Sequence, residues 1–366
     1  MRRRDFLKCA TGTAGAIAAA ASGLSKPAIA RDTKELKLVT SWPRDFPGLG
    51  TTASRLARRI SDMSGGRYTV KLFAGGELVQ PLDCLDAVQH GTADLYHSAE
   101  YYYQNKTKAF NFFAAIPFGL SAGEMNAWIY HGGGQELWNE LGRRNGVKPL
   151  MAGNTGSQMG GWFRTEIESL ADFKGLRMRI PGLGGAVLAK LGGKVVNIAG
   201  GEVYGALKAG TLDASEWVGP WNDLAMGFYK VADFYYYPGF HEPGTVLSFG
   251  LNATFWDSLP PGDKAMFEAA AAAENDITLA EYTARNAAAL EVLIDTHGVE
   301  LMRYPRDVLR AVGQAAGEVV LESTEADPLA KRIYDSYIKF RATAIGWSKR
   351  SDQAFWSARL LPFKYG

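Results

Sequence analysis

The chain has 366 residues, of which 47% are hydrophobic and 21% charged, and a formal net charge of +2. So even a balance argues against nucleic acid or an anionic membrane surface as the partner, since both demand a concentrated positive field. The length is sufficient for two domains with proper cores.

Residues 1–30 begin Arg2-Arg3-Arg4-Asp5-Phe6-Leu7-Lys8, continue through a small-residue apolar run from Cys9 to Leu24, and close on Pro27-Ala28-Ile29-Ala30. A basic start, a modest apolar run and an A-x-A ending describe an export signal, and the R-R-x-F-L-K core is of the twin-arginine type. The run is short for a membrane span; an uncleaved N-terminal anchor is the competing reading. No lipobox surrounds Cys9. The segment carries five basic residues and one acidic, so its removal turns the net charge from +2 to −2. Cys84 is then the one remaining cysteine, which leaves no internal disulfide and predicts a buried, inert thiol.

From Arg31 the pattern alternates. Leu36, Leu38 and Thr40 read as a half-buried strand, and Ala53, Leu56, Ala57, Ile60 and Met63 follow helical spacing up to Gly65-Gly66. Tyr68, Val70 and Leu72 make the next strand, Leu82 to His90 a helix, and Ala93 to His97 a third strand. This βαβαβ order implies a parallel sheet covered by helices. "AVQHGTADLYHS" (87–98) and "ALKAGTLDASEW" (206–217) then share one corner, a helix, Gly-Thr-x-Asp and a strand, with Gly91 and Gly210 as helix-ending glycines. Two similarly built α/β domains produce such a repeat; chance likeness in a short, turn-rich window is the alternative. Asp263 to His297 contains no Gly or Pro and predicts a helix of roughly 50 Å at about 1.5 Å per residue, or two helices broken near Asn275-Asp276. The tail from Pro328 is again helical, and Tyr334, Tyr337, Phe340, Trp347, Phe355 and Trp356 give it more apolar surface than a terminal helix needs unless something covers it.

Several catalytic patterns fail on context. "GLSAG" (119–123) and "HGGG" (131–134) match the nucleophile and oxyanion motifs of esterases, but in the wrong order, and Ser121 with Glu124 reads as a helix-opening capping box. His90, His97, His131, His241 and His297 are scattered without metal-binding spacing. "PGLGGAVLAKLGG" (181–193) lacks the third glycine of a dinucleotide loop, although a helix start there presents amides that favour a small anion.

What survives is a set of polar residues at the ends of elements in the second half: Gln158, Arg179, Glu216 with Trp217, and Glu242. In open α/β sheets ligands bind at the carboxyl ends of strands, and an Arg there can clamp a carboxylate through two parallel hydrogen bonds. Taken on these residues alone, a surface ion pair for Arg179 and a solvated turn for Glu242 remain open.

"GNTGSQMGGWFR" (153–164), "GLRMRIPGLGG" (175–185), "DASEWVGPWND" (213–223) and "FYYYPGFHEPG" (234–244) resemble the periplasmic solute-binding proteins of TRAP transporters. The similarity runs from Leu36 to the C-terminus, toward the branch that binds 2-oxo acids such as pyruvate and its lactate-binding relatives. The resemblance implies a two-domain α/β periplasmic binding protein with parallel or mixed sheets flanked by helices, a long domain-spanning helix and a C-terminal helical extension. It implies one domain from residues 31–153 plus 242–290, a second from 154–241 plus 291–330, and a homodimer formed through 331–366, with delivery of the ligand to a membrane permease. Arg179 becomes the substrate-carboxylate clamp. Gln158, Glu216, Trp217 (through its backbone carbonyl) and Glu242 become ligands of a bridging cation, Na+ or alternatively Ca2+, because all-oxygen ligation suits hard ions. Gln158, Tyr101, Tyr102 and Trp42 complete the substrate side. His241 departs from the 2-oxo acid branch, where an aromatic residue is common, and leans toward the lactate relatives. The expected protein is a non-catalytic periplasmic receptor for a small 2-oxo or 2-hydroxy monocarboxylate; an exported lyase or hydrolase of small acids, and a sensory binding protein, are the other classes to be weighed.

Overall fold

The computed structural model describes residues 33–324 and 327–364; the export segment predicted at residues 1–30, Cys9 included, lies outside them. In chain order, β1 (Lys34–Thr40), α1 (Leu49–Met63), β2 (Tyr68–Phe73), α2 (Cys84–Gln89) and β3 (Leu95–Ser98) form the βαβαβ run, followed by α3 (Ala122–His131), α4 (Gly134–Arg144) and β4 (Val147–Asn154). The chain then leaves for a second sheet through β5 (Gly161–Phe163), β6 (Arg177–Arg179), α5 (Gly182–Lys190), β7 (Lys194–Val196), α6 (Gly200–Lys208), β8 (Ala214–Ser215), α7 (Pro220–Met226) and β9 (Phe234–Tyr237). It returns by β10 (Val246–Asn252), α8 (Ala253–Ser258) and α9 (Pro261–Glu291), crosses again to β11 (Glu300–Arg303) and α10 (Arg306–Glu322), and ends in α11 (Pro328–Ser348) and α12 (Asp352–Ala358). No helix among the described residues is long and apolar enough to cross a membrane.

Both sheets are mixed. The first has the order β2-β1-β3-β10-β4 and the second β11-β9-β5-β8-β6-β7. β1 and β3 run parallel, as a βαβ unit requires, whereas β10, entering from the second sheet, is antiparallel to β3 and β4. In the second sheet β6 is parallel to β7 and β8, and the crossing strand β5 is antiparallel to β8 and β9. The helical stripe of α1 is buried at Ala53, Leu56, Ala57 and Ile60, while Met63, at its last residue, is exposed.

The repeated Gly-Thr-x-Asp corner is one structure used twice. Gly91 and Gly210 adopt φ of 76° and 71°, a left-handed conformation that a Cβ disfavours. The amides of Thr92 and Ala93 return to the Ala87 carbonyl, and those of Thr211 and Leu212 to Ala206, at equivalent steps. The aspartate then fixes the following strand to its parallel neighbour: Asp94 accepts from the Lys37 amide at 2.8 Å, and Asp213 from the Arg177 amide at 2.9 Å. The corner thereby sets which residues reach the carboxyl ends of β3 and β8.

Helix α9 is continuous through Asn275-Asp276, and its 31 residues span about 46 Å. It packs on α1 and β4 of the first half and on α7 of the second. Glu274, fully buried, is paired by Arg55 at 3.1 Å and Arg59 at 2.9 Å. About two turns on, the Tyr282 hydroxyl donates to Asn222 Oδ1 at 2.8 Å, and Asn222 Nδ2 donates to the Pro47 carbonyl at 2.7 Å. The helix is thus bonded to both halves.

The tail divides in two. Leu329, Ala330, Ile333 and Tyr337 of α11 are buried, with the Tyr337 ring 5.1 Å from Trp128 and 5.5 Å from Phe112 and its oxygen accepting from the Leu120 amide at 2.8 Å. Beyond Ile345 the apolar side chains face outward: Trp347 is 70% exposed and Phe355 64%. Ser121 and Glu124 form the expected capping box at the start of α3, with Glu124 accepting from the Ser121 amide at 2.9 Å; that serine is a cap. Cys84 is free and buried, and burial pushes its thiol up to about 12, so it is inert.

Directly after β3 stands Glu100, the first residue of a 3-10 turn (Glu100–Tyr103) that carries Tyr101 and Tyr102. Its carboxyl is fully buried and accepts from the Tyr96 hydroxyl at 2.8 Å, with Oε2 unpartnered among the described residues. Burial pushes its pKa up to about 7, partly offset by that hydrogen bond. A carboxyl raised in the folded state stabilises the fold when protonated. That contribution is present below the unfolded value of about 4.3 and is lost as pH rises toward 7. Glu100→Gln keeps an acceptor for Tyr96 and cannot ionise. Melting curves from pH 5 to pH 8 should therefore show the wild type losing ground to the variant as pH rises, by at most about 3 kcal/mol; a constant gap would mean that Glu100 ionises normally.

Candidate functional site

Arg179 is the last residue of β6 and pairs in register with Ser215 of β8, and the Glu216 amide donates to the Arg179 carbonyl at 3.2 Å. The two side chains therefore emerge side by side at the carboxyl ends of parallel strands. Gly161 of β5 permits this: at φ 115° a Cβ there would stand 2.9 Å from the Ser215 carbonyl oxygen. Arg179 and Glu216 are 2% and 0% exposed. Arg179 Nη1 donates to Glu216 Oε1 and, at 3.3 Å, to the Glu216 carbonyl. Burial alone would lower the Arg179 pKa, but the Glu216 carboxylate holds it above its ordinary value, so the guanidinium is a fixed positive charge. It lies 4.9 Å above the Trp217 ring, a cation–π arrangement that holds its plane.

The remaining edge of the guanidinium is open to further bonding. Nε has no protein partner among the described residues, and Nη2 has only a 3.5 Å approach to the Tyr102 hydroxyl. Nε and Nη2 together form the side-on fork that fits a carboxylate with two parallel hydrogen bonds. Tyr102 comes from the first half of the molecule, so the fork lies between the two sheets. Tyr101 stacks edge-on against Tyr102 at 4.9 Å. Trp42 stands behind this pair: its ring is 6.1 Å from that of Tyr102, and its indole N–H donates to His97 Nδ1 at 2.9 Å. His97 Nε2 faces the Ala152 carbonyl at 3.3 Å, and burial lowers the His97 pKa to about 4, so a neutral imidazole of fixed tautomer sets the Trp42 ring.

On the other side of Glu216 stands Glu242, 2% exposed and accepting from the Thr245 hydroxyl. Burial first, and then the Glu216 carboxylate, push its pKa up to about 7. Gln158 is bound into the same segment: its amide N–H donates to the Glu242 carbonyl at 3.2 Å, and its side-chain Nε2 donates to Thr155 and Thr245 at 3.0 Å each. Both donor directions of the carboxamide are thereby used, while its buried Oε1 has no protein partner among the described residues. His241 Nε2 is 3.3 Å from Glu216 Oε2. One donor atom from each of Glu216, His241 and Glu242 lies within 4.8 Å of the others.

Two buried carboxylates against one guanidinium leave negative charge uncompensated, and isolated buried charge is costly. The donors and the orphaned Gln158 oxygen fit a bound cation. The structure thus brings Arg179, Glu216, Glu242 and Tyr102 together, with Gln158 linked through Thr245, Trp217 and Tyr101 beside them, and Trp42 one layer back. His241, Thr245, Thr155 and His97 were absent from the set read in the sequence. The signal for the first two lies in "HEPGT" (241–245), where a ring nitrogen and a hydroxyl flank the carboxylate at one tight turn. A cavity of about 700 Å³ between α3, α9 and the tail lies elsewhere and approaches this region at Gly156 and Ser157.

The sequence matches the model of the bacterial extracellular solute-binding proteins, family 7, over residues 38–327. A monocarboxylate 2-oxoacid-binding periplasmic protein of Nostoc sp. is 37% identical over 97% of this chain and 98% of its own length. A TRAP transporter solute-binding protein of Bordetella bronchiseptica superposes with a TM-score of 0.87 at 38% identity, covering 89% of this chain and 97% of that one; it is a mixed-occupancy dimer, one site holding copurified calcium and picolinate and the other apo. A TRAP periplasmic solute-binding protein of Pseudoalteromonas atlantica, with bound sodium and pyruvate, superposes with a TM-score of 0.86 at 37% identity, covering 89% and 99%.

Proposed function

The chain belongs to the bacterial extracellular solute-binding proteins of family 7, and from that membership we propose that it is the periplasmic receptor of a TRAP transporter, binding a small 2-oxo monocarboxylate such as pyruvate. The observation that carries this reading is the Arg179 fork, with Nη1 committed to Glu216 and Nε unpartnered. The Nε–Nη2 edge takes the substrate carboxylate, and the Tyr102 hydroxyl closes on it from the opposite side. A cation, sodium or calcium in the relatives, offers the carboxylate and the adjacent 2-oxygen a positive centre when bound. Glu216, Glu242, the Gln158 Oε1 and the Trp217 backbone carbonyl are the groups that hold it. Trp217 and Tyr101 wall the site apolarly and keep water from the fork.

In this reading residues 31–153 with 242–290 form one domain and 154–241 with 291–330 the other, and they close on the acid. The twin-arginine segment directs export, the loaded receptor meets a membrane permease, and the protein returns its ligand unchanged. The outward apolar face of residues 345–363 is covered by a second copy. Removing the chain beyond Ala344, which keeps the packed half of α11, should convert the dimer to a monomer in sedimentation at low micromolar concentration; a dimer that persists would place the interface elsewhere.

Lys in place of Arg179 keeps the charge and loses the fork. Calorimetry should show pyruvate bound more weakly by about 1.5 to 3 kcal/mol, the range of a charge-assisted hydrogen bond. Unchanged affinity would remove Arg179 from the site.

Cation and acid should also bind with positive coupling, each raising the other's affinity by one common factor. Pyruvate is expected to bind far more weakly in chelated, sodium-free buffer than with Na+ or Ca2+, and Glu242→Gln, which keeps an oxygen ligand but loses the charge, should sharply reduce the difference. Equal affinity of the wild type in the two buffers would rule out a bridging cation.

A further inference from the structure

The ligand set carried over from the resemblance is all oxygen, and the structure places a nitrogen beside it. His241 is 2% exposed, and its Nε2 is held 3.3 Å from Glu216 Oε2. That distance is long for a charge-assisted N–H···O bond, which is normally about 2.7–2.9 Å. With Nε2 unprotonated, its lone pair would face a carboxylate oxygen. His241 Nδ1, also buried, has no protein partner among the described residues, so nothing fixes the ring as a donor to Glu216. The spacing is also that of neighbouring ligands on one ion: metal–donor bonds of about 2.0–2.4 Å put adjacent donors roughly 3 Å apart and opposed ones at most about 4.8 Å. The donor atoms of Glu216, His241 and Glu242 all lie within 4.8 Å of one another. The second sign of a ligand is the buried Gln158 Oε1, unpartnered although the amide's own N–H groups are fixed on Thr155 and Thr245.

An imidazole nitrogen beside two carboxylates changes which ions the site favours. Sodium and calcium seek oxygen, whereas imidazole nitrogen raises affinity along the transition series. We infer that His241 is a ligand of the cation through Nε2, and that the centre formed with Glu216 and Glu242 takes a divalent transition ion more tightly than calcium, so that the acid is received as its chelate with such an ion. The inference rests on the receptor reading of the same site.

Mn2+ is the probe, since it is paramagnetic and competes directly with Ca2+. Purified protein, stripped of metal, is titrated with each ion with and without pyruvate, as wild type and as His241→Gln, with melting curves to confirm folding. In the wild type Mn2+ should bind at least about tenfold more tightly than Ca2+ and show pulsed electron-spin coupling to a nitrogen nucleus. His241→Gln should lose that coupling and bring the two ions near parity. A wild-type spectrum without nitrogen coupling, or a preference unchanged in the variant, overturns the inference, and the wild-type spectrum decides even if the variant misfolds. Failure of the receptor reading looks different: pyruvate would then bind the wild type with neither ion.

Discussion

Negative charge is buried at the ends of β6 and β8 in excess of the positive charge supplied to it. Glu216 and Glu242 are almost wholly removed from water, and one guanidinium, Arg179, answers them. Breaking such a pair by removing one partner typically costs about 3–5 kcal/mol, because the survivor is stranded; the arrangement is therefore held as a unit. The chain tolerates the excess by surrounding each charge with fixed dipoles. Arg179 has the Glu216 side chain, the Glu216 carbonyl and the Trp217 face, and Glu242 has the Thr245 hydroxyl. A structure selected for stability alone would fill this space with apolar side chains. Retaining the charges makes sense where an anion and a cation enter together.

The fold supplies that geometry from a few local devices. The Gly-Thr-x-Asp corner fixes the strand register twice, so that the residue following the aspartate's strand arrives at the carboxyl edge of its sheet in both halves. In the first half this brings Tyr101 and Tyr102 forward from Glu100; in the second it brings Glu216 and Trp217. Because β10 and β5 cross between the sheets and run antiparallel to their neighbours, the connecting segments 155–160 and 238–245 lie between the halves, and these carry Gln158, His241 and Glu242. The crossings place Gln158, His241 and Glu242 beside Glu216, and the Arg179 fork across from Tyr102.

Much of this was legible before any coordinates. The strand–helix alternation, the continuous long helix, the capping role of Ser121 and the repeated corner follow from local patterns whose physics acts within a few residues: glycine at φ above zero, a hydroxyl and a carboxylate three apart, an unbroken run without Gly or Pro. The polar residues at strand ends were visible for the same reason. What sequence could not supply was pairing over distance. The antiparallel entry of β10 depends on where the chain returns from, and the division of the tail into a packed and an outward-facing part depends on whether Trp128 and Phe112 stand under Tyr337. His241 was visible as a residue, yet its approach to Glu216, 25 positions away, exists only after β9 and β8 have been placed in one sheet.

The same distance problem governs closure. Among the contacts that join the halves beside the site are the Tyr102 hydroxyl with Arg179 Nη2 at 3.5 Å, the Phe46 ring edge-on to Trp217 at 6.2 Å, the Phe118 amide donating to the Phe240 carbonyl at 2.7 Å, and Asn222 bonded to the Pro47 carbonyl at 2.7 Å and to Tyr282 of the long helix at 2.8 Å. A neutral hydrogen bond or an aromatic pair each contributes about 0.5–1.5 kcal/mol, so these polar and aromatic contacts contribute a few kcal/mol. That is close to the differential affinity a ligand needs to shift a two-state equilibrium. On the proposed reading, an acid that engages Arg179 from one side and Tyr102 from the other supplies that difference directly. On the same reading the long helix, bonded to both halves through Glu274 and Tyr282, limits how they can move past one another, so that the energy of binding one small carboxylate is expressed as closure.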